Sequence, residues 1–174
     1  MPFGLWKKKA QATVDRETTV DRQRQVDIGY ATRRLEQGDL SLFAGSNFDE
    51  SNVLSLHNIS LVSERLGQTP EPVEKFAEVD RGMITITIDR IEFAGKFRHV
   101  GVSFGSIESI GHTRNGIMIA ARNSANKLHF EGADRVVIAL KVQDRMYRQP
   151  LSGRLLRLLL EAVIKISFER RDEI

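Results

Sequence analysis

Between Met83 and Val142 the chain repeats one device: a short run of alternating apolar residues, cut off by a turn signal. In Met83-Ile-Thr-Ile-Thr-Ile88 the residues Ile84, Ile86 and Ile88 point one way and Thr85 and Thr87 the other, the period-two mark of a half-buried strand. Ile91-Glu-Phe93 resumes the alternation after Asp89-Arg90 and stops at Gly95. Val100, Val102 and Phe104 form a third set, ended by Gly105-Ser106, and Ile107 to Ile110 a fourth. Asn115-Gly116 reads as a type I′ hairpin turn, in which both central residues need positive φ, and it leads into Ile117-Met-Ile-Ala-Ala121. Turns at 123–126 and 132–134 then set off residues 127–130 and 135–142. About seven short strands at regular spacing predict an antiparallel sandwich or barrel.

The chain closes on a helix. Pro150 and Ser152 mark its start, with Ser152 as N-cap. Arg154, Arg157, Glu161 and Lys165 recur at helical spacing as one narrow polar stripe, and Glu161 is correctly ordered to pair with Lys165. Leu155, Leu156, Leu158, Leu159, Leu160, Val163 and Ile164 leave most of the circumference apolar, so the helix needs cover on more than one side. The cover is expected from the N-terminal half, a second copy or another protein. Leu156, Leu159 and Leu160, with Arg145, Tyr147, Arg148, Arg154 and Arg157, are therefore the expected protein-interface residues.

The first half reads differently. Residues 1–14 form an arm, and Asp15 to Glu36 is polar, with apolar residues too irregular for a clean stripe: a weak helix in need of a partner surface, or disorder. Asn52 to Leu66 suits strand and helix equally. Pro70 and Pro72 exclude helix interior and central strand, so the boundary is expected just beyond them. This divides the chain into an N-terminal extension, 1–79, and a β domain with closing helix, 80–174. Residues 1–80 carry 10 Lys/Arg against 13 Asp/Glu, and residues 81–174 carry 16 against 10. The basic half can attract an anionic surface or the chain's own acidic half.

Gly82-Met-Ile84-Thr-Ile-Thr87-Ile-Asp-Arg90-Ile91-Glu-Phe93 resembles the G-x-L-x-x-T-x-x-R-L-x-F signature of GRAM and bacterial PH-like domains. Val102-Ser-Phe104 with Ile107 and Ile110 is similar to the segment that follows it, and Asn115-Gly116-Ile117 to its hairpin. The resemblance covers residues 80–168 and implies a seven-stranded pleckstrin-homology-like barrel closed by a C-terminal helix. It further implies a role as adaptor, assembly module or membrane-surface reader. The turn at Asp89-Arg90 is too short for the basic loop between the first two strands that grips phosphoinositide headgroups in lipid-binding members.

No catalytic or metal centre is expected. His57, His99, His112 and His129 lack metal-ligand spacing, and the chain has no P-loop, H-E-x-x-H or G-x-S-x-G. Asp89, Glu92, Glu108, Glu131 and Asp134 fall at turns or on solvent-facing positions, so no cofactor or enzyme activity follows from them. No nucleic-acid motif appears, and nucleic acid is not an expected partner. Cysteine is absent, no run is long and apolar enough to cross a bilayer, and the N-terminus lacks a secretory pattern. The reading is a cytoplasmic, non-catalytic binding module that engages a protein partner or itself, or that sits at an anionic membrane surface. The membrane-facing candidates are Lys96, Phe97, Arg98 and His99, a basic-aromatic tip on a hairpin loop.

Overall fold

Strands built from alternating residues need a single interior, and Ile84, Ile86, Ile91 and Phe93 share one, each almost wholly buried. The computed structural model describes residues 21–42, 52–64, 76–122 and 127–172. Helix α1 covers residues 21–36. Among the described residues nine strands follow: β1 (Asn52–Glu64), β2 (Phe76–Thr87), β3 (Arg90–Gly95), β4 (His99–Ser103), β5 (Ile107–His112), β6 (Gly116–Ala121), β7 (Leu128–Glu131), β8 (Val137–Val142) and β9 (Arg145–Pro150). Helix α2 (Gly153–Asp172) ends the described chain. The fold is mainly β with a C-terminal helix, as the alternation requires.

Seven strands form one antiparallel sheet in the order β4-β3-β2-β1-β7-β6-β5, and β8 pairs with β9 separately. Strands β4 and β5 are the two outer edges, yet only the 3-10 turn Phe104–Ser106 separates them in sequence. So short a link spans at most roughly 14 Å, so the two edges approach each other at that end and the sheet is curled. Phe93 of β3 and Phe130 of β7 report the same curl. Two strands stand between them in the sheet, yet their ring centroids are 5.6 Å apart across the interior. The ladder does not close between β4 and β5.

The seven strands read from the sequence are all present, but two more, β1 and β9, join them and the membership of the sheet differs. The expected boundary at residue 80 falls inside β2, and β1, from the supposed extension, lies in the middle of the sheet between β2 and β7. Leu54 and Leu56 are buried, and so are Ile59 and Leu61. The parity changes between the two pairs because the register slips from Leu56 to Ile59, where Asn58 takes φ 62°. A bulge of this kind breaks the period-two pattern, which is why the segment suited helix and strand alike. At the other end, residues 137–142 leave the sheet and pair with β9, expected to be a loop. The turn at Asp89 therefore joins β2 to β3. The connection between the first two strands is 65–75, which lies outside the described residues.

The hairpin turn at Asn115-Gly116 is also not type I′, since neither residue has positive φ. Glycine is required there by close approach instead: a Cβ on Gly116 would lie 1.9 Å from the Phe130 carbonyl oxygen. The start of α2 docks on the same spot, where the Gly153 N–H donates to the Arg114 carbonyl at 3.0 Å. Ser152 caps the helix as expected, its Oγ accepting from the Leu155 N–H at 3.2 Å.

Candidate functional site

Two regions were expected to carry function, and the structure treats them oppositely. The interface expected on α2 is filled from within the chain. Leu156, Leu159 and Leu160 are buried, as are Leu155, Ala162 and Val163. Cover comes from the sheet and from α1, whose Ala31 and Leu35 join the same apolar core, together with Leu42. The stripe that α1 turns inward is Asp27, Ala31 and Leu35, at steps of four. A carboxylate holds one of its three places, so no amphipathic pattern shows.

Several polar members of that expected interface also have partners within the chain. Tyr147 Oη donates to Asp27 Oδ2, Gln23 Nε2 donates to Asp27 Oδ1 at 2.8 Å, and Arg145 Nη1 lies 3.6 Å from Oδ2. The Tyr147 hydroxyl is the main reason that the Asp27 carboxyl sits below its ordinary pKa, against the opposing effect of burial. The Arg148 carbonyl accepts from Arg24 Nη2 at 3.1 Å. Arg154 lies 3.9 Å from Glu36, and Lys165 donates to the Gln37 carbonyl at 3.3 Å. Glu161 pairs with Arg157 at 2.7 Å rather than with Lys165. Two ion pairs, Asp27 with Arg145 and Glu36 with Arg154, thus join the acidic half to the basic one.

The tip between β3 and β4 remains outside. Lys96, Phe97, Arg98 and His99 are all exposed, and Phe97 keeps 76 % of its surface in solvent. Lys96 Nζ stands 5.0 Å from the Phe97 ring centroid, within cation–π range. Neither Lys96 nor Arg98 pairs with a carboxylate of the described residues. This loop is nonetheless built to a fixed shape. Asp80 on β2 is buried, and its Oδ1 accepts from the N–H groups of Arg81 at 2.8 Å and Lys96 at 3.2 Å. Its Oδ2 accepts from Phe97 at 2.9 Å and Arg98 at 2.7 Å. Gly95 makes room, because a Cβ there would lie 2.1 Å from that oxygen, and Gly82, opposite Gly95, lets the two strands approach.

Asp80 had no assigned role in the sequence, where it marked only a boundary. The one available signal was an acidic residue two places before the signature glycine, opposite a hairpin that itself opens on glycine. Beside it lies an open depression of about 250 Å³, lined by Glu78, Val79, Asp80, Arg81, Lys96 and Phe97. Arg81 is held there by Glu78 at 2.7 Å, and Glu78 also accepts from Ser60 Oγ at 2.5 Å.

Burial pushes the Asp80 carboxyl up, but the N–H groups of Phe97, Arg81, Arg98 and Lys96 together outweigh it and hold the pKa below the ordinary range. A carboxyl depressed in the folded state stabilises above its unfolded pKa and loses that contribution as pH falls through the folded one. The tip should therefore stay ordered at neutral pH and loosen only below about pH 4. The amide resonances of Lys96, Phe97 and Arg98, followed by NMR, should shift together with one inflection under that value. Independent titration of the three amides would show that Asp80 does not organise them.

No group of three or more His, Asp or Glu residues among the described ones is placed to hold a metal ion. His129 is buried, with Nε2 at 2.6 Å from Glu131 Oε1, and Thr113 donates to the same oxygen at 2.7 Å. No described helix is long and apolar enough to cross a membrane. Compared with protein-family models, curated proteins and solved structures, the chain matches none.

Proposed function

We propose that this protein is a non-catalytic, PH-like binding module that touches anionic membrane surfaces through the tip at Lys96–His99. The observation that carries the reading is Phe97, an exposed aromatic ring between two cations that pair with no carboxylate of the described residues, on a loop that a buried carboxylate holds in shape. The meander order and the closing helix support the PH-like assignment. The unpaired seam between β4 and β5 and the inserted β8–β9 hairpin are its departures from that fold. A chain without cysteine suits the reducing cytoplasm.

Magnitudes limit the affinity. Two cations near an anionic surface are worth about 1 kcal/mol each, and burying a phenylalanine about 2 kcal/mol. The sum, about 4 kcal/mol, corresponds to roughly millimolar binding. Sedimentation with phosphatidylserine vesicles should therefore show weak binding that fades as salt rises. Phe97→Ala, and separately the double change of Lys96 and Arg98 to Ala, should each lower it by about tenfold or more. Unaltered sedimentation of both variants would remove the tip from the function.

A protein partner is the second reading, and one surface favours it. The outer face of the β8–β9 hairpin presents Val137 and Met146, 61 % and 56 % exposed, beside Lys141 and Arg148.

A further inference from the structure

A loop whose successive N–H groups converge on one point is a ready anion site. In this tip the point is occupied from inside the protein. Three consecutive amides, from Lys96, Phe97 and Arg98, and a fourth from Arg81 all end on the Asp80 carboxylate. The guanidinium nearest to it is equally committed, with Arg81 paired to Glu78 across the neighbouring depression. The connection 65–75 brings no basic excess by sequence, since Arg65 and Lys75 stand against Glu71 and Glu74. What remains for a ligand is the Phe97 ring and the side-chain charges of Lys96 and Arg98. A ring inserts into the acyl boundary of a bilayer, and flexible cations sense its charge density. Neither distinguishes one phosphate arrangement from another.

We infer that Asp80 is the specificity-determining residue of the tip, an internal anion in the cradle where a headgroup phosphate would otherwise bind. The tip is then an insertion wedge that reads charge and an apolar phase but not headgroup identity. This rests on the membrane reading above. It adds a statement about selectivity that the other reading does not require.

Trp6 is the only tryptophan, so the full-length double variant Trp6→Phe, Phe97→Trp carries a single reporter at the tip. Phosphatidylserine vesicles should shift its emission to the blue, and lipids brominated on the acyl chains should quench it. Phosphatidylcholine vesicles should do neither. Vesicles matched in total charge, made with phosphatidylserine or with phosphatidylinositol bisphosphate, should bind within about twofold of each other. Soluble inositol hexakisphosphate should compete no better than salt of equal ionic strength. With Asp80→Ser in the same background the cradle is open, and the bisphosphate vesicles should gain at least fivefold over the charge-matched ones. If that variant does not fold, reporter depth and the charge-matched pair in the parent still decide. A tenfold preference for bisphosphate in the parent, or binding without acyl-chain quenching, overturns the wedge while leaving the membrane role standing. Absence of binding to every anionic vesicle overturns both.

Discussion

A fragment beginning at Asp80 is expected to remain unfolded when produced alone, although it holds every segment that alternates clearly in the sequence. It lacks β1, the strand that β2 and β7 both need as a neighbour. With β1 go Leu54, Leu56, Ile59 and Leu61, all buried. At about 1.5–3 kcal/mol for each such side chain, their loss is worth roughly 6–12 kcal/mol. A whole domain is stable by only about 5–15 kcal/mol. The exposed ladder groups of β2 and β7 add to the deficit. Circular dichroism and proton NMR of residues 80–174 should show no cooperative melting and no dispersed amides. A sharp thermal transition in that fragment would mean that the sheet can fold without its central strand, and would restore the division at residue 80.

Leu159→Asp should have an effect of comparable size, and its kind separates an internal core from an interface between molecules. Leu159 has no exposed surface and belongs to the same apolar core as Leu156, Leu160 and the α1 residues Ala31 and Leu35. Truncating such a leucine costs about 2–5 kcal/mol, and a carboxylate without a partner adds the cost of burying a polar group. The variant should lose more than about 4 kcal/mol in denaturant melts, if it folds at all. Its light-scattering mass, wherever it does fold, should equal that of the parent. A variant of undiminished stability but smaller particle mass would show that the leucine faces a second chain. Arg154→Ala, on the exposed side of the same helix and 3.9 Å from Glu36, should change stability by about 0.5 kcal/mol or less.

Much of the sheet was legible in the sequence because its alternation is uninterrupted where one face is buried. Ile84, Ile86, Ile91, Phe93 and Val102 all point inward as read. Ile88 does not, because β2 stops at Thr87 and the third isoleucine sits in the turn. The two strands that were missed failed for different physical reasons. In β1 the bulge at Asn58 changes the parity midway. In β9 the inward positions are Arg145, Tyr147 and Gln149, two of which meet the Asp27 carboxylate of α1, so no alternation of hydropathy exists to be seen. The tip at Lys96–His99 was legible as chemistry. Its fixation was not, because the four N–H groups on Asp80 belong to the backbone and leave no trace in side-chain identity.

The central place of β1 also decides how the chain's entropy is spent during folding. All but one of the strand pairings join neighbours in sequence: β1 to β2, β2 to β3, β3 to β4, β5 to β6, β6 to β7 and β8 to β9. The exception is β1 with β7, a ladder of three pairs, Ser60 with Glu131, Leu61 with Phe130 and Val62 with His129. It closes a loop of about 70 residues, which costs about 1.5 kcal/mol more than closing the short loop between Gly82 and Gly95. Two meanders, β1–β4 and β5–β7, can therefore form from local contacts, and the seven-stranded sheet exists only once that one long-range seam is made. The pairing of greatest sequence separation in the sheet rests on three residues of each of two strands.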